Sequence, residues 1–253
     1  MVNLQINNLT KVYDNKEVLK NISFGVNDGE FLSILGPSGC GKTTLLKILI
    51  GIEKPTSGEI IRNNRNITKL DSSKRGMGIV FQNYALFPNM TVLNNVMYAL
   101  KIKLKNKDNA KKQAESIIKK VGLEEHINKY PHELSGGQMQ RVAIARTLAL
   151  KPDIILFDEP MSALDADNKL VLRKELKDIQ KEFKTTMIYI THDQEEAFSL
   201  SDRVMVMNDG KIEQIDVPNV IFNKPANEYV KNFVTNHLIE KVSSIEKCTG
   251  IDL

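Results

Sequence analysis

The stretch that decides the fold is residues 36–44, "GPSGCGKTT". Gly36, Gly41, Lys42 and Thr43 stand at the spacing G-x-x-x-x-G-K-T, which lets a tightly turned backbone converge its N–H groups on phosphate oxygens. At that spacing Lys42 reaches the β- and γ-phosphates of a nucleotide, and the Thr43 hydroxyl is placed to ligate Mg²⁺. Ahead of the loop, "FLSILG" is a short apolar run of strand character. Behind it, "TTLLKILIG" repeats apolar residues at helical spacing and stops at Gly51. Strand, loop and helix in that order aim a helix N-terminus at the anion, so the match is read as functional and not as an ordinary turn.

Outward from the loop, the patterns alternate between strand and helix. "LQINNLTKVY" and "VLKNISFGVNDGE" read as N-terminal strands, with Asp28-Gly29 turning into the loop strand, and "SGEIIRNNRNI" and "MGIVFQN" add two more. From Thr91, a predicted N-cap, to Gly122 the periodicity is helical. A further helix starts at Ser135, whose spacing to Gln138 suits a capping box, and places Val142, Ala145 and Ala149 on one face. "IILFDE" reads as a bare buried strand. "NKLVLRKELKDIQKEF" is an amphipathic helix with Leu172, Leu176, Ile179 and Phe183 on one side, "TMIYITHD" is the next strand, and "VMVMNDGKIEQI" is a hairpin about Asp209-Gly210. The fold expected is α/β: a mostly parallel sheet with helices on both faces, N-terminal β strands, and an α-helical lobe inserted over about 91–150. From about Asn236 the periodicity fades, and a loosely held tail is expected.

Composition sets the outer limits. The 253 residues suffice for one large domain with an inserted lobe, and 42% hydrophobic with 26% charged residues are ordinary for a globular chain. No apolar run approaches the roughly 18 residues that span a bilayer, and "MVNLQINNLTKVYDN" lacks the layout of a secretory signal. Two cysteines, Cys40 and Cys248, suggest no disulfide framework and fit a reducing cytoplasm. A net charge of +4 argues for no nucleic acid. Eight lysines against Asp108 and Glu115 over 101–120 have no interleaved aromatics to stack bases, and read as a solvated helical face.

Phosphoryl chemistry needs a metal, a positioned water and charge compensation at the γ-phosphate. Asp158 ends a buried strand, where open α/β sheets bind ligands, and is expected to hold Mg²⁺ directly or through water. Glu159 follows at once and is the candidate general base. Gln82, at the end of another strand, can ligate Mg²⁺ or contact the water. His192, placed likewise after "MIYIT", is the candidate donor to the γ-phosphate. Tyr13 in "KVYDN" either stacks on a nucleobase or is a plain surface or core tyrosine. In "LSGGQMQR", residues 134–141, a Ser-Gly-Gly opening a helix is a second phosphate-binding device. One nucleotide rarely needs two, so this one is expected to serve the nucleotide of a second copy.

Residues Gly36–Thr43, Gln82, "LSGGQ", "IILFDEP", "SALD" (162–165) and His192, in this order, resemble the ATP-binding subunit of an ABC transporter. The resemblance runs from about residue 2 to 235. It implies a P-loop ATPase domain over 1–235, a helical subdomain at about 91–150 and a C-terminal tail at 236–253. It further implies a head-to-tail homodimer that sandwiches two ATP molecules with Mg²⁺. It assigns Tyr13 to adenine, and Gly36, Pro37, Ser38, Gly39, Cys40, Gly41, Lys42, Thr43 and Thr44 to the phosphate loop. Thr43, Gln82 and Asp158 are implied for Mg²⁺, Glu159 for the base and His192 for the γ-phosphate. Ser135, Gly136, Gly137 and Gln138 are implied to act in trans, with Asp165 coupling the two sites.

The resemblance also implies a place at the cytoplasmic face of the membrane, docked on separate permease subunits and served indirectly by a solute-binding protein. "THDQEEA" and "GKIEQIDVPNVIFNKPANEYVKNFV" are similar to importers of polyamines, ferric iron, phosphonates and sugars. Such subunits usually continue into an OB-like regulatory region, and regulation of that kind is expected to be absent here. The alternative is a non-transport ABC ATPase acting on ribosomes or DNA. Ribosome-acting members carry two cassettes in one chain and repair members a long coiled coil, neither of which this sequence has.

Overall fold

The computed structural model describes residues 2–104, 107–162 and 164–249. The chain opens with β1 (Val2–Tyr13), β2 (Lys16–Asn27), β3 (Phe31–Leu35), α1 (Lys42–Ile50), β4 (Ser57–Arg62), β5 (Arg65–Asn66) and β6 (Met77–Val80). It continues through α2 (Val92–Lys103), α3 (Lys107–Lys120), α4 (Gly136–Leu148), β7 (Ile154–Asp158), α5 (Ala166–Phe183) and β8 (Thr186–Thr191). It closes with α6 (Gln194–Leu200), β9 (Arg203–Asn208), β10 (Lys211–Asp216), α7 (Pro218–Asn223), α8 (Glu228–Val230) and α9 (His237–Thr249). The chain divides into two compact units, residues 1–71 with 186–253, and residues 72–185.

In the first unit, β2-β1-β4-β5 form an antiparallel sheet. Leu4, Ile6 and Leu9 of β1 are all buried, although the step from Ile6 to Leu9 breaks the two-residue period of a strand. A bulge there resolves the conflict: the register with β2 shifts between Ile6 and Leu9, and Asn8 takes φ 50°. Central to the second sheet of this unit is β3, which pairs in parallel with β8 on one side and β9 on the other. Every residue of β3 and of β8 is buried, which is why both read as runs without alternation. The expected hairpin joins β9 to β10 through Asp209 and Gly210, at φ 43° and 74°.

Leu35, Val204, Val206, Ile221, Val230 and Val234 lie together in this unit's core. Burial of such side chains contributes about 1.5–3 kcal/mol each. The tail differs from the sequence expectation. A π-helical stretch, Lys231–Asn236, runs into helix α9, and Leu238 packs on the same core one four-residue step after Val234. That step was hidden by the polar residues around it; Ile239 and Val242 on α9 remain exposed.

The second unit holds the parallel pair β6-β7, with α2, α3 and α4 between them in sequence as the expected helical lobe. It also takes in β7 and α5. Thr91 caps α2, its hydroxyl accepting from Asn94 N at 3.3 Å. Leu172, Leu176 and Ile179 form the buried face of α5. Among the described residues, no helix is long and apolar enough to cross a membrane.

Candidate functional site

The first unit carries the phosphate loop. A Cβ on Gly36 would stand 2.4 Å from Met207 O, so only glycine admits this close approach to β9. Gly41 sits at φ 106°, and a Cβ there would meet Val18 O at 2.9 Å. Lys42 is buried, its ammonium donating to Gly36 O at 2.8 Å and Pro37 O at 2.9 Å. The loop therefore wraps around its own cation. Cys40 is buried beneath it, with its carbonyl accepting from Gly210 N at 3.1 Å, while Ser38, Gly39 and Thr43 are exposed and Pro37 and Thr44 half-buried. No side chain caps α1 and its first turn has no acid; a positive helix terminus beside Lys42 makes an anion cradle.

His192 comes to the same place by register. Leu35 of β3 pairs with Thr191 of β8, so Gly36 and His192 leave neighbouring parallel strands at the same end. His192 is exposed. The strand end before it is fixed by Glu196, a buried carboxylate that accepts from Tyr189 Oη and from Thr191 Oγ1, both at 2.8 Å. Asp193 caps α6 by accepting from Glu195 N and Glu196 N. Tyr13 lies exposed at the end of β1, with Lys11 Nζ 4.5 Å from its ring centroid, so one face of the ring already carries a cation. Burial pushes its phenol upward.

The second unit carries the acids and the amide. Val80 pairs with Phe157, so Gln82 and Asp158 leave the same end of the β6-β7 pair. Asp158 and Glu159 are half-buried and Gln82 is exposed. Glu159 takes φ 45°, a left-handed backbone that costs a non-glycine residue about 1–2 kcal/mol. Its carbonyl accepts from both Ser162 N at 3.2 Å and Ser162 Oγ at 3.0 Å, which holds the turn. Gln82 Nε2 in turn donates to Ser162 Oγ at 3.0 Å.

The expected capping box is present: Ser135 Oγ accepts from Gln138 N at 3.3 Å and Gln138 Oε1 accepts from Ser135 N at 2.9 Å. Gln138 Nε2 lies against His126 Nε2, so both ends of the Gln138 side chain are engaged within the chain. Gly136 is half-buried and Gly137 buried at the first turn of α4. Asp165 caps α5, its carboxylate accepting from Asn168 N at 2.9 Å and Asn168 Nδ2 at 2.6 Å. These bonds hold its carboxyl below the usual range. Ala163 of the "SALD" segment lies outside the described residues.

Two residues that the sequence reading passed over organise the segment after Gln82. Arg146 donates to Tyr84 O and Ala85 O. Asn95, fully buried, donates to the carbonyls of Phe87, Met90 and Thr91 and accepts from Phe87 N. Nothing in spacing marks them, because each acts on backbone atoms of a loop without periodicity.

Thr43 in the first unit, and Gln82 and Asp158 in the second, each end in a hard oxygen of the type Mg²⁺ prefers. Among the described residues no group of three or more His, Cys, Asp and Glu side chains could hold a metal.

A phosphate loop between a buried strand and a helix, with acid and amide at parallel strand ends, defines a P-loop NTPase cassette. The chain matches the ABC transporter family model over residues 19–162 and belongs to that family. It is 50% identical over 231 residues to the spermidine/putrescine import ATP-binding protein PotA of Mycoplasma capricolum, covering 91% of this chain and 66% of that one. It is 45% identical to the sulfate/thiosulfate import ATP-binding protein CysA of Mannheimia succiniciproducens, covering 92% of this chain and 66% of that one. The chain thus spans just under two thirds of the length of these relatives. Among solved structures it resembles the dimeric ATP-binding cassette MJ0796 in a post-hydrolysis state bound to ADP and Pi, at TM-score 0.76 and 37% identity, covering 85% of this chain and 98% of that one.

Proposed function

We propose that the chain is the ATP-hydrolysing, energy-coupling subunit of an ABC importer, working as a head-to-tail pair at the cytoplasmic face of the membrane on separate permease subunits. The observation that carries this is the presence of two anion-directed helix starts on one chain, the loop before α1 and the capped Ser135-Gly136-Gly137 turn before α4. One triphosphate needs only one of them. The dimeric state of the related cassette supports the pairing.

In this reading the loop amides and Lys42 bind the phosphates and Tyr13 takes the base. Mg²⁺, when bound, neutralises charge on the β- and γ-phosphate oxygens, and Thr43, Gln82 and Asp158 would hold it. Glu159 accepts the proton of the attacking water, and His192 donates to the γ-phosphate. Ser135, Gly136, Gly137 and Gln138 meet the partner copy's nucleotide; for Gln138 the contribution is its hold on the Ser135 turn. Asp165 orders the start of α5 between the two sites.

For the cargo we infer a polyamine, because the relative at 50% identity is named for spermidine and putrescine import. The sulfate importer subunit at 45% identity is the competing case. The test is reconstitution with permease and solute-binding protein in liposomes. ATP turnover stimulated by spermidine and not by sulfate is expected, and the reverse would move the cargo assignment. For the purified chain alone, turnover per molecule that is indifferent to dilution, with no self-association detectable, would overturn the paired site.

A further inference from the structure

A side-chain amide presents a nitrogen that only donates and an oxygen that only accepts, and a cation can be ligated by the oxygen alone. Which end of Gln82 faces outward is therefore a functional variable. We propose that Ser162 is a positioning residue that fixes the orientation of the Gln82 amide, so that Oε1 is the end presented to the Mg²⁺-nucleotide. This deepens the function proposed above and rests on its assignment of Gln82 to the metal.

Counting protons fixes the orientation. The Ser162 hydroxyl has a single proton, which goes to Glu159 O at 3.0 Å. Toward Gln82 it can then only accept, and Gln82 Nε2 stands 3.0 Å away. A flipped amide would place Oε1 against an oxygen with no proton left to give. Donating to it would require the hydroxyl to abandon Glu159 O, which closes the turn at the left-handed Glu159. The nitrogen is thus held inward and the oxygen is left to face the cation. Ser162 also couples the amide to the backbone of the proposed general base without touching the reacting atoms itself.

The experiment compares ATP affinity of the full chain in Mg²⁺ and in EDTA, using a fluorescent ATP analogue, for the parent and for Ser162→Ala, Ser162→Thr, Gln82→Ala and Gln82→Glu. With the hydroxyl gone, Ser162→Ala is expected to reduce the Mg²⁺-dependent gain in affinity by about threefold to tenfold. Affinity in EDTA should not change, and Ser162→Thr, which keeps a hydroxyl, should lie within about twofold of the parent. A carboxylate at position 82 has two equivalent ends, so Ser162→Ala in the Gln82→Glu background should add no further loss. A purely structural serine would not lose its effect there. If Gln82→Ala diminishes the Mg²⁺ gain and Ser162→Ala does not, Ser162 has no orienting role while Gln82 keeps its assignment. If Gln82→Ala leaves the gain intact, the metal assignment of Gln82 fails and takes this proposal with it.

Discussion

The guanidinium of Arg146 donates to the carbonyl oxygen of Ala85 across 2.7 Å, and its second nitrogen reaches Tyr84 O at 3.0 Å. Tyr84 and Ala85 are consecutive non-glycine residues at φ 59° and 46°, two and three positions after Gln82. Such backbone is uphill by roughly 1–2 kcal/mol per residue. Desolvation lowers the guanidinium's proton affinity, yet it stays charged, and charge-assisted bonds of this kind are about twice as strong as neutral ones. One half-buried cation on α4 holds a strained bend in the loop that carries the amide.

Removing that cation should release the bend. Arg146→Leu is expected to lower the unfolding free energy by about 2–4 kcal/mol, with Arg146→Lys recovering part of it through one carbonyl. Ala85→Gly, which relieves the backbone without touching Arg146, should stabilise by about 0.5–1 kcal/mol. Urea unfolding of the variants measures both signs, and an Ala85→Gly variant less stable than the parent would contradict the strain.

Gly36→Ala should disable the phosphate loop by displacing its backbone. Its methyl would lie 2.4 Å from Met207 O and 2.8 Å from Cys40 Sγ, so either β9 or the loop must move. A loss of ATP affinity of at least about tenfold is expected, together with a lower unfolding midpoint. Isothermal titration with ATP reads the first and a melting curve the second.

Tyr229 gives a pH signature. Burial, followed by the nearby Cys40 and Glu213, pushes its phenol from 10.0 up to about 12, and its hydroxyl is buried without a hydrogen-bond partner among the described residues. A phenol that keeps its proton longer when folded contributes stability that is complete below pH 10 and is lost as pH rises from about 10 to about 12. Tyr229→Phe, which keeps the stack on Phe233, should be neutral or stabilising by up to about 1 kcal/mol at pH 7. It should also flatten the decline above pH 10, seen as a urea midpoint that falls less steeply than the parent's.

Glu159→Gln should separate binding from turnover. The amide keeps the size of the side chain and cannot accept the water's proton, so hydrolysis should fall by at least about a hundredfold while ATP still binds. With ATP bound and not consumed, the pair should persist in gel filtration. Parental turnover in this variant would remove Glu159 from the role of base.

Much of this was legible because it follows from period and spacing. Gly36 to Thr43 announced the loop, the unbroken apolar runs announced β3, β7 and β8, and Ser135 with Gln138 announced the start of α4. What escaped is long-range contact between elements that spacing cannot relate. Arg146 and Asn95 look like ordinary helix residues until the loop carbonyls they serve are located. Asp165 was read as coupling two sites, and it proves also to cap α5. The α9 helix was missed because Leu238, its core anchor among the described residues, depends on a helical turn begun at Val234.

The carboxylate of Glu196 has a consequence for anyone who would transplant His192 into another scaffold. Two hydroxyls from alternate positions of β8 converge on one oxygen belonging to the following helix, so the three side chains form a lock whose members are interchangeable only as a set. A portable module would have to run from Tyr189 through Glu196; shorter grafts would carry the imidazole and leave behind the bonds that fix the strand end before it.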